Sequence, residues 1–238
     1  MIKLSVNINK IATIRNARGG SLPSVVEAAR SCENFGADGI TIHPRPDERH
    51  ITRKDVYDLK KVVSTEFNIE GYPSQDFIDL VLEINPTQVT LVPDGPDVLT
   101  SNAGWDCIKN QSFLSQIISQ FKESGIRVSV FLDPLTEQVD AAKDCGTDRI
   151  EFYTEAYASN YAKDKNKAIE PYVIASDRAN EIGLGINAGH DLSLENLNYF
   201  AQNIPNLLEV SIGHALISDA IMYGLNNTVQ MYKNELVV

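Results

Sequence analysis

The chain has 238 residues, 43% hydrophobic and 22% charged, enough apolar material for a substantial core, which excludes a disordered chain, a fibrous repeat and a disulfide miniprotein. With 21 Lys and Arg against 32 Asp and Glu, the formal charge is −11, a surface that repels phosphate backbones and argues against a nucleic-acid partner. No apolar run approaches the roughly 18–20 residues of a membrane span, and three cysteines without C-x-x-C spacing fit a reducing cytoplasm.

The hydrophobic pattern switches between two periods along the chain. Met1-Ile-Lys-Leu-Ser-Val leads directly into a strand over 4–8 and lacks the charged head and small-residue cleavage site of a signal peptide. Residues 9–22, NKIATIRNARGGSL, read as a long basic connection of the kind that forms lids and binding loops. Pro23 suits the first turn of a helix with a stripe at Val25, Ala28, Ala29, Cys32 and Phe35. A strand over 39–43 and another over 67–70 follow. Ser74 then suits an N-cap for the stripe Phe77, Leu80, Val81 and Ile84. After a strand over 87–92 comes a second long connection, 93–111, and the stripe Leu114, Ile117, Ile118 and Phe121. Strands over 126–132, 149–153 and 183–187 lead to Ser193, a further N-cap candidate, before Leu194, Leu197, Phe200 and Ile204. The last strand covers 207–212. Gly36, Gly125, Gly146 and Gly183 each close a helical stretch shortly before a strand. Several strands read as apolar nearly throughout, as in a parallel sheet buried on both faces.

Eight strands alternating with about eight helices predict a single (β/α)8 TIM barrel over 1–238. The rival, an open doubly wound sheet, commonly carries a Gly-rich turn after its first strand. That strand here ends in Asn7-Ile-Asn9-Lys10, and Gly183-Leu-Gly185-Ile-Asn-Ala-Gly189 is one residue too long for the dinucleotide fingerprint.

In such a barrel the chemistry gathers where the strands end. Of the four histidines, His43 ends a predicted strand, His50 lies in the loop after it, and His190 and His214 follow the last two strands, so all fall on one face. Glu70 ends a strand and Glu151 lies inside one. Burial of a carboxylate is unfavourable unless it is paired, and it raises the pKa toward the range used in acid–base work. The alternative for each is a structural ion pair, and Glu209, farther from the strand end, reads as structural. Lys10, Arg15, Arg18, Arg45, Arg49 and Arg53 form a basic rim, though any one arginine could instead pair with a local acid such as Asp47 or Glu48. Asn187-Ala-Gly189-His190 and Gly213-His214 sit where barrels build phosphate sites. Two separated basic clusters suit two phosphates. No H-x-H, H-E-x-x-H or Cys/His spacing points to a metal.

The string Val6-Asn7-Ile-Asn9-Lys10-Ile-Ala-Thr-Ile-Arg15-Asn-Ala-Arg18-Gly19 resembles the PdxJ family of pyridoxine 5′-phosphate synthases. So do Gly36-Ala-Asp-Gly-Ile-Thr-Ile-His43-Pro-Arg45, Arg49-His50-Ile-Thr, Asn187-Ala-Gly-His190 and Ile212-Gly-His214-Ala. The resemblance covers nearly the whole chain. It implies a cytoplasmic barrel enzyme of vitamin B6 synthesis, a homo-oligomer, typically an octamer, without metal or organic cofactor. The implied reaction condenses 3-amino-2-oxopropyl phosphate with 1-deoxy-D-xylulose 5-phosphate, releasing pyridoxine 5′-phosphate, phosphate and water. By position, the resemblance makes His43 and Glu70 the bases, His190 the proton donor and Glu151 a transition-state stabiliser. It assigns Asn7, Arg18, Gly213 and His214 to the aminoketone phosphate, and Arg45, His50 and Thr100 to the deoxyxylulose phosphate. The Arg-rich first connection is expected to close over the site. Two departures stand out. Asn9-Lys10 replaces the family's usual Asp-His at a deoxyxylulose phosphate contact, and Asp191 replaces glycine in a substrate-binding turn. Rival readings are a phosphosugar isomerase or aldolase, and a non-catalytic barrel that binds phosphometabolites.

Overall fold

The strands carry a period-two pattern: Leu4-Ser5-Val6-Asn7, Ile40-Thr41-Ile42-His43, Phe67-Asn68-Ile69-Glu70, Val89-Thr90-Leu91, Ile150-Glu151-Phe152. Successive side chains on a strand point to opposite faces, so each strand has one apolar and one polar face. The computed structural model, which describes residues 1–93 and 103–238, resolves where each face goes. The apolar members are buried with helix side chains in one continuous core. The polar members meet across the barrel interior, where Ser5, Thr41, Asn68, Thr90 and Glu151 are joined by hydrogen bonds. The reading of strands apolar on both faces is therefore corrected: the interior of this barrel is polar, and the apolar core lies between strands and helices.

In chain order the elements are β1 (Lys3–Asn7), α1 (Asn9–Arg18), α2 (Val25–Asn34), β2 (Gly39–Ile42), α3 (Arg53–Lys60), β3 (Glu66–Gly71), α4 (Gln75–Ile84) and β4 (Gln88–Leu91). Then come α5 (Gln111–Glu123), β5 (Arg127–Leu132), α6 (Thr136–Asp144), β6 (Arg149–Tyr153), α7 (Glu155–Tyr161), α8 (Lys165–Glu181) and β7 (Gly185–Gly189). The chain ends with α9 (Leu197–Asn203), β8 (Leu207–Ile212), α10 (His214–Tyr223) and α11 (Leu225–Glu235). The strands pair in parallel and in order, and β1 closes the barrel on β8 with Ser5 opposite Ser211. All the predicted strands are present. Among the described residues there are eleven helices, more than the expected eight or so.

Three local expectations change. Residues 9–18 form helix α1, not a loop. Its first amide, on Asn9, donates to Asn7 Oδ1 at 3.0 Å, and Gly19 ends it at φ 73°. Ala12 is its one fully buried residue, so it lacks the apolar stripe that announces a helix. The strand placed at 183–187 runs two residues later, because Gly183 still terminates α8 at φ 70°. Ser193 does not cap α9. It accepts from the Glu195 amide in a preceding turn, and Asn196 flanks the helix. Ser74 does cap α4, and Pro23 lies just ahead of Ser24, the N-cap of α2.

α1 buries only Ala12 fully, with Ile11 packed against the core, and an ion pair anchors it further. Arg15 donates to both carboxylate oxygens of Asp55, at 2.6 and 2.8 Å, and to the His50 carbonyl at 3.2 Å. Arg15 is thus removed from the basic rim. Both side chains are largely buried, so breaking the pair leaves Asp55 short of donors inside the fold. Arg15→Ala should lower stability by about 2 kcal/mol, read as a lower urea midpoint. An unchanged midpoint would mean α1 is held by other contacts.

At the N-terminal end of the barrel, Glu66 meets Arg127 and lies 3.7 Å from Lys3, while Arg149 lies 3.8 Å from Glu209. Burial and the neighbouring Glu66 carboxylate push Glu209 well above the usual carboxylate range. Glu209 is a structural group of the barrel floor, as its position in the strand suggests.

Candidate active site

At the opposite end, the strand termini open into a cavity of 650 Å³. The four acid–base candidates, His43, Glu70, Glu151 and His190, line it. So do Asn7, Asn9, Lys10, Arg45, His50, Asp191, Gly213 and His214. All four histidines therefore share one mouth. Arg18 does not line it. It is exposed at the far end of α1, eight residues beyond Lys10, or about 12 Å at the helical rise. Thr100 lies outside the described residues, as does the stretch 94–102 of the second long connection. A smaller cavity of 330 Å³ shares His43 and Arg45 as a wall and extends over Tyr72, Phe77 and Leu80.

His43 follows β2, and its amide donates to Asn9 Oδ1 at 2.9 Å. Asn9 thereby ties the start of α1 to the end of β2, a positioning role the sequence does not announce. His50 stands edge-on to His43, with ring centroids 6.1 Å apart. Its Nδ1 accepts from the Ile51 amide at 2.9 Å, which leaves the proton of the neutral ring on Nε2. Burial, helped by Arg45, His50 and Arg49, pulls His43 down to about 3. Burial with Arg45, Lys10 and Arg49 pulls His50 down to about 4. Both rings are neutral at pH 7, the state in which an imidazole accepts a proton or donates a single Nε2–H.

These depressed values predict acid sensitivity. Unfolded histidines titrate near 6.5, so below that pH the unfolded chain binds protons the folded rings refuse. Stability is complete above about pH 6.5 and is lost as the pH falls toward 4, by at most about 2 kcal/mol per ring between pH 7 and 5. Urea midpoints at the two pH values should differ less for His50→Gln than for the parent protein. An equal drop in both would show that His50 is not desolvated.

Asn7, at the end of β1, donates from Nδ2 to Glu70 Oε2 at 3.4 Å. It also packs on Gly213, where a Cβ would stand 3.1 Å from the Asn7 side chain. Gly213 and His214 open α10, so its N-terminal amides and dipole face the mouth beside Asn7. After β2, Arg45, only 6% exposed, lines the mouth with His50 and with Lys10 from the start of α1. Arg49 is paired with Asp47 at 2.6 Å, the local alternative weighed for the rim arginines. The mouth thus draws anion-attracting groups from two stretches of chain, the start of α10 after β8 and the segment after β2.

His190 takes φ 74°, a left-handed backbone that turns its ring back over the mouth after β7. Asp191 Oδ2 lies 2.6 Å from its Nδ1, and Tyr153 packs edge-on at 5.4 Å. Asp191 therefore points at the histidine and orients it. Glu151 is 4% exposed inside β6. Burial, then the charge of Glu70, raise it to about 8. Among the described residues no cluster of three or more His, Cys, Asp or Glu could hold a metal ion, and no helix is long and apolar enough to cross a membrane.

A family model described as Pyridoxal phosphate biosynthesis protein PdxJ matches residues 4–237. The chain is 63% identical over 236 residues, 99% of each chain, to Pyridoxine 5′-phosphate synthase of Cytophaga hutchinsonii. It is 62% identical over 234 residues, 98% of this chain and 99% of the other, to the protein of that name from Bacteroides fragilis (strain YCH46). Among solved structures, 3-keto-L-gulonate-6-phosphate decarboxylase from Vibrio cholerae superposes with a TM-score of 0.65 at 9% identity, covering 99% and 97% of the two chains. That likeness is one of fold.

Proposed function

This chain belongs to the PdxJ family, and we propose a division of labour by which its mouth carries out the pyridoxine 5′-phosphate synthase reaction. The enzyme condenses 3-amino-2-oxopropyl phosphate with 1-deoxy-D-xylulose 5-phosphate, giving pyridoxine 5′-phosphate, phosphate and water. The observation that carries the division is that one 650 Å³ mouth is lined by His43, Glu70, Glu151 and His190 together with Arg45, His50 and Lys10 and with Asn7, Gly213 and His214.

The chemistry needs several groups because an imine must form, phosphate must be eliminated and the ring must close with loss of water. Each step moves a proton, and no single side chain has the right pKa for all of them. His43, neutral at pH 7, and Glu70 act as bases. His190, oriented by Asp191, returns protons. Glu151 stabilises a transition state as charge shifts beside it. Asn7, Gly213 and His214 hold the aminoketone phosphate at the start of α10, while Arg45, His50 and Lys10 hold the deoxyxylulose phosphate. Asn9 acts on the latter site through His43. With 9–18 helical, closure over the mouth does not fall to an Arg-rich first loop. Arg18, exposed at the end of α1 and outside the mouth's lining, is kept as a further aminoketone phosphate contact that the resemblance supplies.

We further place the enzyme in the cytoplasm as a homo-oligomer, an octamer by the family resemblance. Supporting this are three buried free cysteines and an exposed apolar end of α10 at Ile221, Met222 and Tyr223. Light scattering of the purified protein tests the assembly. The reaction is tested by supplying the two substrates together and singly. Pyridoxine 5′-phosphate and phosphate should appear only with both. A phosphosugar isomerase or aldolase would turn over the deoxyxylulose phosphate alone, and a binding protein would turn over neither.

A further inference from the structure

Two carboxylates, Glu70 and Glu151, share the mouth closely enough that the charge of one raises the other. Two carboxylates lining one cavity repel when both are ionised, so the groups around them decide which carries a proton. We propose that a directed hydrogen-bond chain through Asn68 and Thr90 makes that choice, holding Glu151 as the neutral acid and leaving Glu70 as the single anionic base. The proposal deepens the roles given above for these two residues and rests on that reading.

Asn68, on β3, is fully buried. Its Nδ2 donates to Thr41 Oγ1 at 3.3 Å, and Thr41 Oγ1 lies 2.7 Å from Ser5 Oγ. Its Oδ1, which can only accept, faces Thr90 Oγ1 at 3.1 Å. A hydroxyl has one proton, so Thr90 gives it to Asn68. Glu151 Oε2 lies 3.4 Å from the same Thr90 oxygen. A Thr90 hydroxyl donating to Glu151 lowers it, less than burial and Glu70 raise it, but the single Thr90 proton has the nearer acceptor in Asn68 Oδ1, at 3.1 Å against 3.4 Å. The contact is satisfied when Glu151 supplies the proton and Thr90 accepts it. Glu70 has the opposite partner, the Asn7 Nδ2–H, which favours the charged form.

The other charged groups facing Glu151 among the described residues do not reverse this. His190 lies across from it after β7 and favours the carboxylate, less strongly than burial and Glu70 oppose it. Glu209, on β8, is itself pushed toward the neutral form. Arg149, two residues back on β6, is engaged with Asn187 at 3.2 Å and Glu209 at 3.8 Å. A neutral Glu151 offers its other oxygen to the substrates without adding negative charge beside two phosphates.

Infrared difference spectra test the assignment without reference to turnover. Near neutral pH the buried acid carbonyl band should vanish in Glu151→Gln and persist in Glu70→Gln, with Glu209 cancelling in the difference. The reverse pattern overturns the proposal. The positioning role is tested by moving the chain. Asn68→Ala frees the Thr90 proton for Glu151, and Thr90→Val removes the acceptor. Each should lower the midpoint of the Glu151 band and the basic limb of kcat by about one pH unit, and Thr90→Ser should restore both. A limb that stays put or moves up overturns the proposal even if kcat falls, since loss of packing alone does not move a titration. If Asn68→Ala does not fold, the smaller Thr90 changes carry the same test. Should Glu151→Gln keep full turnover, the role of Glu151 in the reaction fails. If it is inactive while the limbs of the Asn68 and Thr90 variants are unmoved, only the present proposal falls.

Discussion

Glu70→Gln should lower kcat for pyridoxine 5′-phosphate formation by about 10²–10⁴-fold and leave the affinity for each substrate within a few-fold. Glu70, next to last in β3, lines the mouth, where it accepts from Asn7. Glutamine has the same shape and keeps an oxygen for the Asn7 Nδ2–H, so the pocket and the fold remain. What it lacks is the capacity to take a proton. A drop in kcat without a matching loss of binding identifies a group that acts in the transition state. Titration calorimetry with each substrate, beside product formation, separates the two. If turnover survives, Glu70 is not a base. If both affinities collapse with it, the residue serves the architecture of the mouth.

Gly189→Ala should reduce kcat by about 10²-fold or more and lower stability by about 1–3 kcal/mol. The reason lies in two approaches that no sequence pattern displays. A Cβ at Gly189 would stand 2.6 Å from the Ser211 carbonyl oxygen and 2.9 Å from Glu151 Oε1. The first is backbone of β8 and yields only by shifting the strand. The second is the side chain proposed to act at the transition state. Ser211 O also accepts from the His190 amide at 3.3 Å, so one methyl group disturbs both Glu151 and His190. Gly20→Ala is the matched control, since a Cβ there meets nothing within 4 Å and should change neither quantity. A fully active Gly189→Ala protein would mean the mouth tolerates displacement of Glu151, contrary to its assigned role.

Much of the barrel and its reactive rim was legible because both follow from local pattern. Each strand carries its signature within four to six residues, and the histidines and Glu70 stand at or just past strand ends. The polar interior was legible in principle, since Ser5, Thr41, Asn68, Thr90 and Glu151 occupy alternate positions, but apolar neighbours dominated the reading. α1 escaped because it is held by Arg15 to Asp55, 40 residues away, and not by an apolar stripe. The grip of Asn9 on His43 spans 34 residues, and the Thr90–Glu151 contact spans 61. Such pairs exist only once the barrel has closed. The orientation of Asp191 toward His190 depends on a left-handed backbone at His190, which its sequence neighbours do not require.

The central claim is that two phosphate corners flank one set of acid–base side chains. A crystal structure of the protein soaked in inorganic phosphate tests it most directly. Two anions should be found in the same mouth, one on Arg45 and His50 and one at the Gly213–His214 start of α10, with His43, Glu70 and His190 between them. A single anion, or anions confined to the smaller cavity over Tyr72 and Phe77, would contradict the two-substrate arrangement.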